Sequence, residues 1–512
     1  MDKLYNIVHS IFNKKVSFLD DLFKSTRSGH TVRPSEAIIE GIAPDGGLYV
    51  PLEMPSMESF IEKLPYLSYK DLASIILSDF FSEFGYEDLN SCIDSAYDSK
   101  FDDSLIAPVS CMGGFSFLEL YHGLTLAFKD MALSILPHLM RLSFKKMHIH
   151  GEAVVLAATS GDTGKAALVG FADVPGTKIM VFYPHGGVSS IQKAQMVTQK
   201  GENVFVSAVL GNFDDTQTCV KSILTDMEIR DDLKNHGYVL SSANSINIGR
   251  LIPQIVYYFY GYGQLVKIKT IKSGDKINIT VPTGNFGNIL AAYYAMKMHL
   301  PVNRLLCASN ENNVLAGFFK NGIYDIRRPL LKTSSPSMDI LISSNLERLI
   351  YEISLGDEQL VSNLMHKLNA EGKYGITGDM RDRLSAFYGN YALESEVAKS
   401  IKDLYDNFKY VIDTHTGAAY AVYKKYMDET GDDHHTMIVS TASPFKFTRS
   451  VCSALKIPTK SYDDFKLIQI LSNYTGLKIP ESIKNIDKLP VLHDSILKTD
   501  SIVSSLKEFL KI

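Results

Sequence analysis

The feature that most constrains this chain is a repeated unit: an apolar run of strand length, a polar loop, then a helical pattern. Residues 154–158 (VVLAA) precede Thr159-Ser160-Gly161-Asp162-Thr163-Gly164, with a helix expected from Lys165 onward. Residues 277–281 (INITV) precede Pro282-Thr283-Gly284-Asn285-Phe286-Gly287-Asn288 and an apolar helix over 289–298. Residues 410–412 lead into Asp413-Thr414-His415-Thr416-Gly417, and 437–439 into Ser440-Thr441-Ala442-Ser443-Pro444. This alternation predicts an α/β chain with open, mostly parallel sheets, and ligands at the carboxyl ends of the strands. The spacing has no fixed period, which excludes a solenoid.

Two stretches depart from the alternation. Residues 5–100 read as helices with one turn-rich insertion at 40–51, whose Pro44-Asp45-Gly46-Gly47 leads into a short strand. A charged, mostly helical stretch at 344–408 reads as an insertion. The 512 residues suffice for about two to four domains with large cores.

Composition removes several classes of function. With 52 basic against 57 acidic residues, the net charge of −5 and the lack of a Lys/Arg block argue against nucleic acid as partner. Five scattered cysteines without C-x-x-C spacing disfavour a disulfide framework and a cysteine zinc site, and point to a reducing, cytoplasmic compartment. Residues 1–20 mix Lys3, Asn6, His9 and Lys14 through their apolar positions, so no signal-peptide core is expected. The apolar stretch 251–266 carries Pro253, Gln254, Gly261 and Gln264; it is too short and interrupted to span a membrane and reads as a buried helix.

The loops carry the chemistry. A glycine-rich turn opening a helix aims backbone N–H groups at an anion, as residues 159–165 do. The nucleotide P-loop spacing fails there, because Thr159 and Ala166 hold positions that need Gly and Ser or Thr. Gly284-Asn285-Phe286-Gly287-Asn288 lets the backbone curl closely around a phosphate, but lacks the third glycine of a dinucleotide site. A small phosphorylated cofactor fits it better. Lys129 lies in an apolar segment at an expected helix start. Lysines in such runs ordinarily extend to the surface, yet burial and a helix N-terminus both disfavour the ammonium, which suits an imine-forming amine. His434 and His435 follow Asp432 and Asp433 without metal-ligand helical spacing, so no metal site is expected. His122, His185 and His415 border the loops, and no Gly-x-Ser-x-Gly elbow occurs.

In order along the chain, Ser25-Thr26-Arg27, Ala43-Pro44-Asp45-Gly46-Gly47-Leu48-Tyr49-Val50-Pro51, His122-Gly123-Leu124-Thr125-Leu126-Ala127-Phe128-Lys129-Asp130, residues 159–164, Asn244-Ser245-Ile246-Asn247, residues 282–288, Asn310-Glu311-Asn312, residues 335–348, 413–417 and 440–447 resemble the threonine synthase family. The resemblance covers most of the chain to about residue 460. It implies the pyridoxal-phosphate fold type II (tryptophan synthase β-like), with two open α/β lobes and an extra N-terminal domain. The N-terminal domain would be 1–100 and the catalytic core 101–512, with a smaller lobe over 145–265 and a larger lobe formed by the remainder.

By that resemblance Lys129 is the Schiff-base lysine, and Gly284, Asn285, Phe286, Gly287 and Asn288 cradle the phosphate of pyridoxal 5'-phosphate. Thr441 faces the pyridine nitrogen. Ser160, Gly161, Asp162 and Thr163 receive the substrate carboxylate. The family's reaction takes O-phospho-L-homoserine and water to L-threonine and phosphate, so a second anion site is needed. Arg250 is assigned to it, with Asn244 and Lys165 as further positions. A monomer or homodimer is expected, and with no N-terminal extension of the plant allosteric type read in the sequence, feedback activation through one is not expected. Two rivals stand beside it: a phospho-lyase on the same scaffold that releases 2-oxobutyrate from phosphohomoserine or phosphothreonine, and a non-catalytic phosphate-ligand-binding protein of this fold.

Overall fold

A computed structural model describes residues 22–159, 161–211 and 213–512. Ser160 and residues 1–20 lie outside the described residues, and with them the reading of the N-terminal stretch.

The alternation seen in the sequence builds two parallel sheets. The larger runs Phe387–Tyr391, Val302–Ser309, Ile277–Pro282, Thr436–Ser440, Phe115–Glu119, Val109–Cys111, with only the last pair antiparallel. The smaller runs Ile496–Lys498, Val204–Leu210, Thr177–Pro184, Glu152–Ala158, Tyr238–Ser241, parallel throughout. The inner strands are buried along their length, Ile277–Pro282 and Thr436–Ser440 completely. That is why they read as unbroken apolar runs and not as an in–out alternation.

The stretch 251–266 forms the helix Pro253–Lys267, buried at every residue from Pro253 to Leu265. An apolar surface all round places a helix in the interior. Here it packs against the N-terminal segment Glu58–Tyr66 and the helix Tyr69–Phe80 on one side, and against the helix Gly287–Lys297 on another. Both expected helices after the glycine loops begin slightly earlier than read, at Asp162 and Gly287. Their glycines take up the turn, so the helical bonding can start inside the motif.

The structure differs from the sequence reading in four places. Residues 410–412 pair with no strand; they cover the sheet, with the Tyr410 ring stacked on Phe117 at 4.8 Å. Within 344–408 the strand Phe387–Tyr391 forms the edge of the larger sheet, so this stretch is not purely a helical insertion. The C-terminal Ile496–Lys498 pairs with Val204–Leu210 in the smaller sheet, and Ile502, Leu506 and Leu510 of the following helix join the apolar cluster that contains Phe182 and Val209, whereas the sequence reading left these residues in the larger lobe. The N-terminal region also contains a small antiparallel sheet of Thr31–Val32, Phe23–Ser25 and Tyr49–Pro51, of which only the last was expected.

The N-terminal motifs serve as a clamp. Arg27 donates to Glu347 through both Nε and Nη2 at 2.8 Å, and Thr26 Oγ1 donates to the same carboxylate at 2.6 Å. Next to it Arg348, fully buried, donates to the carbonyls of Tyr49 and Ile246 and to Asn345 Oδ1. Asn345 in turn donates from its backbone and side chain to the carbonyl of Asn285. The N-terminal sheet is thus bonded, through one arginine, to the wall of the 284–288 loop.

Candidate active site

The parallel strands of each sheet end on one side, and the loops that leave those ends assemble the site. After Phe115–Glu119 the chain makes a tight loop to Lys129, which precedes the short helix Asp130–Leu133. Asp130 fixes this loop by accepting from Thr125 N at 2.8 Å and Thr125 Oγ1 at 2.6 Å. The loop is zipped to the end of Thr436–Ser440: Phe128 N donates to Thr441 O at 2.8 Å and Ser443 N to Leu126 O at 3.0 Å. Thr441 is therefore buried beside the backbone that carries Lys129.

The Lys129 amine is enclosed. Burial pushes it down to about 8, Asp162 resists that, and the charges of Lys446 and Arg250 add to it. Asp162 is the hub. Its Oδ2 lies 3.7 Å from Lys129 Nζ and accepts from Ser337 Oγ at 3.0 Å. Its Oδ1 lies 3.1 Å from Lys446 Nζ and accepts from Gln192 Nε2 at 2.8 Å. Burial alone would protonate this carboxyl, but Lys446 and Lys129 outweigh it and hold Asp162 far below the usual carboxylate range. Its side chain is committed to these partners.

Gly161, with φ of 136°, adopts a backbone conformation open to glycine, and a Cβ there would sit 2.5 Å from the Gln192 side chain. At the other loop, a Cβ on Gly284 would meet Ser337 O at 2.3 Å. Ser337 thus touches both the 284–288 loop and Asp162, making the glycine loop and the Lys129 centre one continuous site. Phe286 takes a left-handed φ of 66°, and its ring is buried near Phe319 and Phe387 at 6.0 and 6.1 Å. The ring anchors the turn in the core and leaves the backbone to face a ligand.

Arg250 is 3% exposed; it donates from Nη1 to Ala243 O at 2.7 Å, and its Nε has no partner among the described residues. Burial lowers it to about 10, and it pairs with no carboxylate among the described residues. Lys165 is also buried and lowered to about 7 by desolvation, with its amine donating to Gln199 Oε1 at 2.5 Å. Asn244 is half-buried at the turn that leads, through Asn247, to Arg250.

Sequence reasoning missed Lys446, Gln192 and Ser337. Lys446 lies in a motif the reading used, but a single lysine after Pro444-Phe445 carries no mark of being completely buried, which it is. Of the bordering histidines, His415 is buried, bonded to Asp413 and accepting from Ser337 N at 3.2 Å; His122 sits between Asp102 and Glu119; His185 is exposed. Asp432, Asp433 and His434 cluster at the surface, where Asp432 is already taken by Tyr426, Asn278, Asn303 and His434.

A buried, depressed lysine amine beside a glycine loop that opens a helix, on paired parallel sheets, defines a site for an imine-forming, phosphate-bearing cofactor. Residues 117–442 match the pyridoxal-phosphate dependent enzyme family, and residues 22–97 match the threonine synthase N terminus family. Threonine synthase of Saccharomyces cerevisiae is 34% identical over 91% of this chain and 93% of its own length; that of Eremothecium gossypii is 34% identical over 88% and 92%. The chain belongs to the threonine synthase family of pyridoxal-phosphate-dependent enzymes.

The human protein threonine synthase-like 1 is 38% identical over 91% of this chain, which spans 62% of that relative's length. Among solved structures, pyridoxal-phosphate-bound threonine synthase from Brucella melitensis superposes with a TM-score of 0.85 at 30% identity, covering 96% of this chain and all of the other. The yeast enzyme gives 0.86 at 31%, covering 96% and 99%. No helix among the described residues is long and apolar enough to cross a membrane.

Proposed function

We propose that this protein is a threonine synthase, converting O-phospho-L-homoserine and water to L-threonine and phosphate. The observation that carries the reading is the Lys129 amine, enclosed and lowered by desolvation to about 8, with Lys446 and Arg250 as neighbouring cations and Asp162 and Asp130 as neighbouring carboxylates. An amine near that value is neutral often enough to attack a carbonyl and, once released, to take a proton from a carbon acid.

Gly284, Asn285, Phe286, Gly287 and Asn288 hold the cofactor phosphate through their backbone, the Asn288 amide and the start of the helix Gly287–Lys297. Thr441 stands at the pyridine nitrogen. Bound there, pyridoxal phosphate supplies an electron sink for charge developing on the substrate carbons. Lys129 moves the proton at the substrate Cα. The 160–163 loop binds the substrate carboxylate with the first N–H groups of its helix, because the Asp162 side chain is spent on Lys129 and Lys446. Arg250 binds the substrate phosphate and the phosphate that leaves, since a buried guanidinium without a carboxylate suits a dianion. Asn244 and Lys165 are assigned supporting roles only.

The test is to incubate cofactor-loaded protein with phosphohomoserine and follow threonine, phosphate and 2-oxobutyrate together. Threonine and phosphate in equal amounts are expected. Formation of 2-oxobutyrate in place of threonine makes it a phospho-lyase, and an absent borohydride-trapped adduct at Lys129 makes it a binding protein. In Arg250→Ala, KM for phosphohomoserine should rise at least tenfold, by about 1.4 kcal/mol or more of lost binding; an unchanged KM removes Arg250 from the phosphate site.

A further inference from the structure

The helix Pro253–Lys267 presents two adjacent tyrosines, Tyr257 and Tyr258, to a single amide. Both are fully buried, and both hydroxyls reach Asn288 Oδ1, at 2.5 and 2.6 Å. The amide oxygen of Asn288 is the atom turned to both hydroxyls, so its nitrogen faces away from them. Asn288 is 7% exposed, yet its Nδ2 has no partner among the described residues. A buried donor left without an acceptor costs stability unless a ligand supplies one.

The same network continues toward Arg250. Tyr257 OH also lies 3.2 Å from Gln254 Oε1, and Gln254 Nε2 donates to the Arg250 carbonyl at 2.9 Å. Because a backbone carbonyl can only accept, that last bond fixes which way the Gln254 amide points. Tyr258 OH lies 3.0 Å from the Asn288 carbonyl as well, a longer contact that shares the single hydroxyl proton with Oδ1. Neither tyrosine can exchange its proton within the neutral range, since burial raises both well above the ordinary phenol value.

We propose that Tyr257 and Tyr258 form an orientation lock: by donating to Asn288 Oδ1 they turn Nδ2 toward the 284–288 loop as a fixed donor for the phosphate of the cofactor. They are positioning residues, acting only through Asn288. The proposal rests on the reading that this loop holds the cofactor phosphate, and Asn288→Ala tests that reading separately.

The experiment measures binding of pyridoxal phosphate, and of pyridoxal without its phosphate, to apo-protein of wild type, Tyr257→Phe, Tyr258→Phe, the double variant and Asn288→Ala. Phe keeps the ring volume and removes the hydroxyl alone. The expected result is pyridoxal phosphate binding weakened roughly tenfold in the double variant and less in each single, with pyridoxal binding unchanged. The 31P resonance of bound cofactor should shift in the double variant in the same direction as in Asn288→Ala. The lock is overturned if the double variant binds pyridoxal phosphate like wild type, or if both ligands weaken equally, which marks a purely structural role. If the double variant does not fold, the two singles are judged by the same ratio. If Asn288→Ala binds pyridoxal phosphate like wild type, the loop assignment itself fails.

Discussion

Replacing Lys446 by Met removes a completely buried cation while keeping most of its volume, and its consequences can be worked out bond by bond. Lys446 Nζ donates to Thr125 O at 2.7 Å and pairs with Asp162 Oδ1 at 3.1 Å. Stranding the Thr125 carbonyl costs about 1–3 kcal/mol. Breaking a buried ion pair costs about 3–5 kcal/mol when the other charge is left alone. Asp162 is not left alone, because Lys129, Gln192 and Ser337 remain, so the total should be about 3–4 kcal/mol. The second effect is on Lys129. Lys446 depresses that amine directly and also shares Asp162 with it. Without Lys446 the carboxylate turns more of its charge on Lys129, which then holds its proton to higher pH. Apo-protein is mixed with pyridoxal phosphate at a series of pH values, and the rate at which the visible band of the lysine adduct appears is recorded. In wild type the rate should reach half its maximum near the Lys129 value of about 8. In Lys446→Met the midpoint should move up, and urea unfolding should show the stability loss. A midpoint that stays or falls refutes the coupling through Asp162, whatever the stability does.

Three further outcomes follow from the same structure. His122 is raised to about 9 because its bonds to Asp102 and Glu119 outweigh its burial; since this exceeds the unfolded 6.5, its stabilisation is complete below 6.5 and lost as pH rises through about 9. The stability gap between wild type and His122→Gln in urea should therefore shrink by about 2–3 kcal/mol from pH 6 to 9.5, and a constant gap would contradict this. Lys165 has the opposite sign: lowered by burial from 10.5 to about 7, it gives the unfolded chain the extra proton between those values, so its contribution to stability rises with pH there. Lys165→Met should remove that rise, as read from urea curves at pH 6.5 and 9.5. Arg348→Met strands the carbonyls of Tyr49 and Ile246 and should cost about 3–5 kcal/mol in urea; a loss below about 1 kcal/mol would show the N-terminal clamp to be weak.

Much of the site was legible because its requirements are local. Close backbone approach needs glycine at 161 and 284, an imine needs a lysine in apolar surroundings, and a completely buried helix needs a stretch without charged residues, as 253–265 is. What could not be read depends on partners distant in the chain. Lys446 looks like any surface lysine until Asp162 is placed beside it. Residues 410–412 have the apolar pattern of a strand, but Tyr410 spends its ring on Phe117 and its hydroxyl on Glu119, and the run covers the sheet without joining it. The strand Ile496–Lys498 was missed for the converse reason: it is three residues long, Ile496 is 53% exposed, and only pairing with Val204–Leu210 gives it strand form.

The charge of the site explains how an acidic chain can serve anionic ligands. The net charge is −5, yet the Lys129 amine has Lys446 and Arg250 as neighbouring cations and Asp162 and Asp130 as neighbouring carboxylates, three positive charges to two negative. A desolvated cation without a counter-ion destabilises the fold, as the lowered value of Arg250 records. An anionic ligand supplies what the protein withholds. On the proposed assignments, phosphate at the 284–288 loop would give Asn288 Nδ2 its acceptor, and a second phosphate at Arg250 would give the guanidinium its partner. Each should therefore stabilise the folded chain by RT ln(1 + [L]/Kd), and at about one hundred times Kd that amounts to about 2.7 kcal/mol. Inorganic phosphate alone should raise the unfolding midpoint of the apo-protein, and the increment should fall in Arg250→Ala and again in Asn288→Ala. Surface charge cannot produce that pattern, since high salt would screen it, while buried cations are screened far less.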